Sequence, residues 1–249
     1  MTKQYSIFAV LFVFLFNCSS EDIADQNQIT PVPETVVSEH FSFTLYDGLS
    51  ETIKASVLTK LEENYARVLN DLNLTAMNKV TIKIWNDETH FYDVQEHDLG
   101  VRYPGSTGYV AGASEIRLLN RGNLAQTTLH EFCHAASLVV NRSFGNNPRW
   151  FWEAVAIYEA GELTNPRSID YLASGNFPTI AELNSNYNNG NYKIYQVGYL
   201  LSEYILTNWG RNQYIDLIKY GANIQATLGV SVQQFEAGWK QFVQNKYLQ

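Results

Sequence analysis

The sequence predicts an α+β protein in which a small mixed sheet comes first and a mostly helical region follows. Strand-like alternation of apolar and polar residues occurs only in the first half, at residues 41–45, 80–85 and 115–119. Beyond the last of these, apolar residues recur at helical spacing. We therefore expect one domain over residues 40–249, with an α/β lobe up to about residue 145 and a helical lobe from about residue 146.

The first lobe alternates strands with helices. Between the first two strands, apolar residues at helical spacing predict a long helix over residues 49–72. A short helix is expected at residues 87–94, after the second strand. Glycines then interrupt residues 101–114 before the third strand begins.

The second half reads as a series of helices separated by breakers. Residues 125–140 contain no proline or glycine, and Asn123 is a suitable N-cap. A polar loop precedes a helix that ends at Gly161, and a loop-rich stretch follows over residues 163–190. Three more helices are expected, at residues 192–209, 211–220 and 232–248.

The segment His130-Glu131-Phe132-Cys133-His134 carries the clearest chemical signal. Positions i and i+4 of a helix share one face, so His130 and His134 can present two imidazole nitrogens to one metal ion. Glu131 can then reach a water on that metal without being a ligand itself. The competing interpretation is an amphipathic helix whose two histidines fall four residues apart by coincidence.

A second segment resembles a known family. Trp150-x-x-Glu153-Ala154-x-Ala156-x-Tyr158 is similar to a segment of the gluzincin metallopeptidases, which include the thermolysin-like, alanyl-aminopeptidase-like and peptidase MA-like proteins. The resemblance spans about residues 80–209 and implies a zincin-like first lobe. It implies that Glu153 is the third zinc ligand, although Ala154 replaces the usual glycine. Glu159 and Glu162 are the alternative carboxylate ligands.

Two further positions follow from this resemblance. Tyr195-x-x-Gly198 is similar to the opening of the helix that carries the catalytic tyrosine in these peptidases, which implies that Tyr195 stabilises the oxyanion. Tyr199 and Tyr192 are the alternatives. The stretch 109–119 would supply an edge strand that pairs with an extended substrate; an ordinary edge strand is an equally good interpretation.

The implied function is a zinc metallopeptidase that cleaves peptide or protein substrates with Glu131 as general base. No motif of the Gly-Ala-Met-Glu-Asn type is present to hold a substrate amino terminus, which favours an endopeptidase, although Glu115 could bind an amine. The alternatives are a catalytically inactive zinc-binding surface lipoprotein that binds protein or glycan, and a structural lipoprotein with a coincidental motif.

The amino terminus predicts export. Residues 1–17 hold Lys3 and then a short uncharged apolar run, as in a signal peptide. Leu15-Phe16-Asn17-Cys18 resembles a loose lipobox, and the acidic stretch after Cys18 resembles the export tag of Bacteroidetes-type lipoproteins. We expect a lipid anchor on Cys18, a flexible tether over residues 18–39 and an outer-membrane or cell-surface location; a plain secretory peptide is the alternative.

Net charge limits the classes of binding partner, and cysteine content limits the possible disulfides. The formal net charge is −8 and no basic cluster is present, which argues against nucleic acid as a partner. If Cys18 carries lipid, Cys133 has no disulfide partner and is expected to be a buried packing residue. The sequence does not indicate an oligomeric state.

Overall fold

The structure is a computed structural model that describes residues 35–36, 38–185 and 192–249. The predicted signal peptide at residues 1–17, the predicted lipid site Cys18 and most of the predicted tether lie outside the described residues. Among the helices that are described, none has the length and apolar character required to cross a membrane.

A five-stranded mixed sheet forms the first half of the fold, with the strand order β1-β2-β3-β5-β4. The three central strands are parallel to one another, whereas β1 and β4 pair antiparallel at the two edges. The strands are β1 (Thr35–Val36), β2 (Phe41–Leu45), β3 (Val80–Trp85), β4 (Gly108–Val110) and β5 (Glu115–Leu119). The predicted α+β class and its three sequence-derived strands are confirmed, and β1 adds a short strand within the segment predicted as a tether.

The two faces of the sheet differ because side chains alternate along each strand. One face is fully apolar and buries Phe43, Ile82 and Ile116 in the main core, against the helices α1 and α3. These helices comprise Ile53–Asp71 and Leu124–Val140. The opposite face, called the outer face below, carries Lys83 and Arg117 as paired neighbours on β3 and β5.

Helix α2 (Glu88–Leu99) packs on the outer face and is longer than the predicted helix at residues 87–94. It ends where Gly100 adopts a left-handed conformation with φ of 73°. This glycine ends the helix, whereas the predicted end at residue 94 lies where the helical spacing of apolar residues ends. Helix α1 begins at Ile53, four residues later than expected.

Helices make up the second half of the described chain, as predicted. They are α3, α4 (Arg149–Glu159), α5 (Asp170–Ala173), α6 (Ile180–Leu183), α7 (Lys193–Lys219), α8 (Ile224–Leu228) and α9 (Val232–Val243). A 3₁₀ turn at Pro166–Ser168 precedes α5, and a π-helical turn at Gln244–Leu248 follows α9. Gly210, with φ of 78° and ψ of 179°, interrupts α7 where the sequence predicted a boundary between two helices.

Helices α4 and α7 approach each other closely at Gly198. A Cβ atom at this position would lie 2.8 Å from Cδ1 of Ile157 and 3.1 Å from Cα of Ala154. Two small residues, Ala154 and Gly198, therefore set the separation of the two helix axes. Because Ala154 follows Glu153 directly, this contact also fixes the position of the Glu153 backbone relative to α7.

A buried ion network holds the other end of α4. The carboxylate of Glu159, which is fully buried, accepts hydrogen bonds from Arg67 of α1 at 3.1 Å and from Arg211 of α7 at 3.3 Å. Asp71 pairs with both arginines, at 3.2 and 3.0 Å. Removing one member would leave an uncompensated buried charge, so the network fixes α4 against helices from both halves of the chain.

Replacing Gly198 with valine should destabilise the protein. The new side chain would overlap Ile157 and the backbone of Ala154, and overpacking of this kind costs about 1–3 kcal/mol. The matched control is Gly145→Ala, where the nearest atom, Cδ2 of Leu138, lies at an ordinary 3.6 Å. Chemical denaturation of both variants measures the difference, and equal stabilities would contradict the close contact between α4 and α7.

Candidate metal centre

Helix α3 brings the two histidines of the sequence motif together. Its first turn is capped by Asn123, whose side-chain oxygen accepts a hydrogen bond from the backbone of Gln126, as predicted. His130 and His134 lie one turn apart with ring centroids separated by 4.8 Å, and both are buried. Cys133 is also fully buried but lies in the apolar core, in agreement with its predicted packing role.

Helix α4 places Glu153 opposite the two histidines. Oε2 of Glu153 lies 3.5 Å from Nε2 of His130 and 3.6 Å from Nε2 of His134. One ligand atom from each of the three residues lies within 4.8 Å of the other two, so this group could hold a metal ion. The structure thus brings together all three residues that the sequence and its family resemblance nominate as ligands.

The three residues fit zinc in chemistry and in spacing. Zinc favours imidazole nitrogen and carboxylate oxygen at about 2.0–2.2 Å in a tetrahedral arrangement, which sets ligand atoms about 3.4 Å apart. The separations of 3.5 and 3.6 Å are close to this value. Oε2 of Glu153 is buried and lacks a hydrogen-bond donor among the described residues, as expected for an atom that binds a cation.

Glu162, one of the alternative ligands, contacts the far side of His130 instead. Its Oε2 lies 2.9 Å from Nδ1 of His130, and its Oε1 accepts a hydrogen bond of 3.0 Å from Gln126. This contact favours the tautomer that carries its proton on Nδ1 and leaves Nε2 free for a metal. Glu162 is therefore placed to orient a ligand. The other alternative, Glu159, has both carboxylate oxygens occupied by Arg67 and Arg211.

His134 is oriented by stacking. The indole of Trp152 lies parallel to its imidazole, with centroids 4.0 Å apart and an interplanar angle of 12°. Phe144 packs edge-on against the same indole at 5.4 Å. Nδ1 of His134 is buried and has no hydrogen-bond partner in the described part of the chain. The two histidines thus differ, since one is held by a carboxylate and the other by an aromatic ring.

The charges of the site favour a neutral His134 beside an ionised Glu153. Burial lowers the pKa of His134 to about 4, so its imidazole is neutral at pH 7. Burial acts to raise the pKa of Glu153, but the close approach of His130 and His134 to its carboxylate outweighs this and lowers the pKa well below its ordinary value. For His130, burial acts to lower the pKa, and the carboxylates of Glu153 and Glu162 raise it well above its usual range.

Glu131, the expected general base, lies beneath the edge strand β4. A Cβ atom at Gly108 would stand only 2.9 Å from Oε1 of Glu131 and 3.0 Å from its Cγ. Glycine at this position therefore makes room for the carboxylate. Burial raises the pKa of Glu131 to about 7, a value suited to taking up and releasing a proton near neutral pH.

Tyr195 lies beside the helix that carries Glu153. Its hydroxyl accepts a long hydrogen bond of 3.4 Å from Arg149, the residue one turn before Glu153 on α4. The alternatives are placed differently, because Tyr199 packs against Tyr158 farther along α4 and Tyr192 is largely exposed. Of the three tyrosines, the predicted one contacts the turn that leads into the metal ligand.

Glu115, which the sequence offered as an amine-binding residue, lies on the outer face of the sheet. Its carboxylate pairs with Lys83 at 2.7 Å and with Arg117 at 2.7 Å. Its neighbour Ile116 points to the core face that α3 covers. The structure therefore does not bring Glu115 together with the metal ligands.

Comparison with known proteins finds similarity at the level of structure. No protein-family model matches the chain, and no curated protein sequence does. Among solved structures, an aminopeptidase N family protein from Idiomarina loihiensis is similar with a TM-score of 0.39 and 11% identity. The match covers 89% of this chain but 42% of the other, so the chain spans less than half of that protein's length.

Replacing Glu162 with alanine should weaken zinc binding. Loss of the carboxylate on Nδ1 of His130 removes a contact that orients the ligand, and such losses cost about 10- to 100-fold in metal affinity. Competition with a chromophoric chelator measures the dissociation constant. The matched control is Glu63→Ala on the exposed side of α1, and equal affinities of the two variants would exclude the orienting role.

Trp152 can be tested with a pair of substitutions. Trp152→Leu removes the ring that stacks on His134 and should weaken zinc binding about tenfold, comparable to the loss of other groups that orient a ligand. Trp152→Phe keeps an aromatic face and should retain affinity within a few-fold of the wild type. If both variants bind zinc equally, stacking does not orient His134.

Proposed function

We propose that this protein is a zinc metallopeptidase. One observation carries the proposal: a buried carboxylate oxygen of Glu153 faces the Nε2 atoms of His130 and His134 at tetrahedral ligand spacing. Glu131 next to the first histidine supports turnover, because metal binding alone does not require a buried carboxyl group at that position.

The residues of the chain divide the work of hydrolysis. Zinc held by His130, His134 and Glu153 would supply a Lewis acid and lower the pKa of a coordinated water. Glu131 takes a proton from the attacking water and delivers it to the amine that leaves when the peptide bond breaks. Tyr195 donates a hydrogen bond to the oxygen of the tetrahedral intermediate.

The edge strand favours an extended peptide as substrate. Strand β4 pairs with β5 on one side, and among the described strands none pairs with its other side, so β4 is an edge strand. Its main chain can therefore pair with an added strand, and Gly108 places that edge directly against Glu131. A substrate paired through its main chain can extend beyond the bound segment in both directions, as the substrate of an endopeptidase does.

Elemental analysis of the purified protein tests the metal centre. We expect about one zinc per chain in the wild type and little or none in Glu153→Ala, because two imidazoles alone do not complete a zinc site. The Glu63→Ala variant should retain full zinc content. A wild-type protein that holds no zinc, even after reconstitution near neutral pH, would refute the proposal.

Replacing Glu131 with glutamine should abolish peptide hydrolysis while zinc stays bound. The amide keeps the shape of the side chain but cannot accept the proton, and general-base catalysis contributes about 10²- to 10⁴-fold. Cleavage of internally quenched peptides that are blocked at both ends measures turnover, with Glu63→Gln as control. A zinc-loaded wild type that cleaves no peptide would instead indicate a zinc-binding protein without turnover.

A further inference from the structure

A pocket opens on the outer face of the sheet. It has a volume of about 460 Å³, which lies in the range of small-molecule sites. Its floor is formed by Lys83, Trp85 and Arg117 of β3 and β5, and one wall is formed by α2. These strand residues alternate with core residues such as Ile84, so the sheet separates the pocket from α3 and the metal centre.

An aromatic pair closes one end of the pocket. The rings of Tyr46 and Trp85 stack with centroids 4.4 Å apart and an interplanar angle of 5°, and His90 meets both edge-on. Tyr46 is partly exposed and lines the pocket. Trp85 is only 3% exposed, so Tyr46 is the member of the pair that a ligand can contact.

The charged groups of the pocket balance one another. Lys83 pairs with Glu115 at 2.7 Å, and Arg117 pairs with Glu115 and with Asp98. Asp93, on the α2 wall, pairs with Arg102. A charged ligand would have to compete with these pairs. A neutral ligand with several hydroxyl groups could instead accept hydrogen bonds from the cations and donate hydrogen bonds to the carboxylates without breaking a pair.

We propose that the pocket binds a neutral saccharide. One apolar face of the sugar ring packs on the partly exposed ring of Tyr46, and the hydroxyl groups bond to Lys83, Asp93 and Arg117. This site is independent of the proposed peptidase activity, because it lies on the other side of the sheet.

Saturation-transfer NMR with the purified protein tests the proposal directly. The probes are the neutral disaccharides maltose, cellobiose, mannobiose and diacetylchitobiose, with glucuronic acid and glucosamine as charged counterparts. We expect at least one neutral disaccharide to bind with a dissociation constant in the micromolar to millimolar range, and neither charged sugar to bind more tightly. No transfer to any neutral disaccharide, or binding of the charged sugars alone, would overturn the proposal.

Two pairs of variants locate the binding site. Tyr46→Ala removes the exposed ring and should weaken binding about tenfold, whereas Tyr46→Phe keeps the ring and should bind like the wild type. Asp93→Ala should also weaken binding. Its matched control is Glu96→Ala, because Glu96 pairs with the same Arg102 but does not line the pocket. Unchanged affinity in both Tyr46→Ala and Asp93→Ala would overturn the assignment.

Zinc removal separates the pocket from the metal centre. We expect chelator-treated protein that remains folded to bind the same disaccharide with unchanged affinity. Loss of saccharide binding together with zinc would place the sugar at the metal centre and overturn the proposal. If the zinc-loaded protein binds the saccharide but cleaves no peptide, the pocket assignment is supported and only the proposed peptidase activity is contradicted.

Discussion

The burial of the Glu153 carboxylate is the constraint on which the rest of the site depends. An ionised carboxylate out of contact with water is costly unless positive charge compensates it. His134 is neutral at pH 7, and His130, which lies between the carboxylates of Glu153 and Glu162, can offset at most one of their two negative charges. A cation between the imidazoles and the carboxylate resolves this imbalance. The fold presents a desolvated anion to this position, and binding of a metal ion there would stabilise the folded state.

The supports around this anion differ from one ligand to the next. His130 is fixed from behind by Glu162, which adds a second negative charge near the metal position. His134 is fixed by the face of Trp152, which adds none. Helix α4, which provides Glu153, is fixed by contact at Gly198 and by buried ion pairs at Glu159. Each ligand is therefore held by a different kind of interaction.

The sequence predicts those parts of the protein that depend on local pattern. The three long strands, the helical second half and the HExxH ligands follow from alternation and from i, i+4 spacing. The choice of the third candidate ligand needed a family resemblance, because Glu153 in the middle of α4 and Glu162 just beyond its end are both carboxylates. Their roles differ only through which nitrogen of His130 each one faces. The pocket on the outer face could not be predicted from the sequence either, because only the tertiary fold brings Tyr46, Asp93 and Arg117 together.

The buried ion network has a consequence for how the protein is made. Glu159 pairs with Arg67, 92 residues earlier, and with Arg211, 52 residues later. A growing chain that has emerged only as far as α4 contains both histidines and Glu153 but lacks the arginine and the glycine of α7 that fix α4. The arrangement of His130, His134 and Glu153 is therefore completed late in synthesis. Contacts between distant parts of a chain are also slow to form, so the same network would make binding of a metal at this site depend on folding of the whole domain.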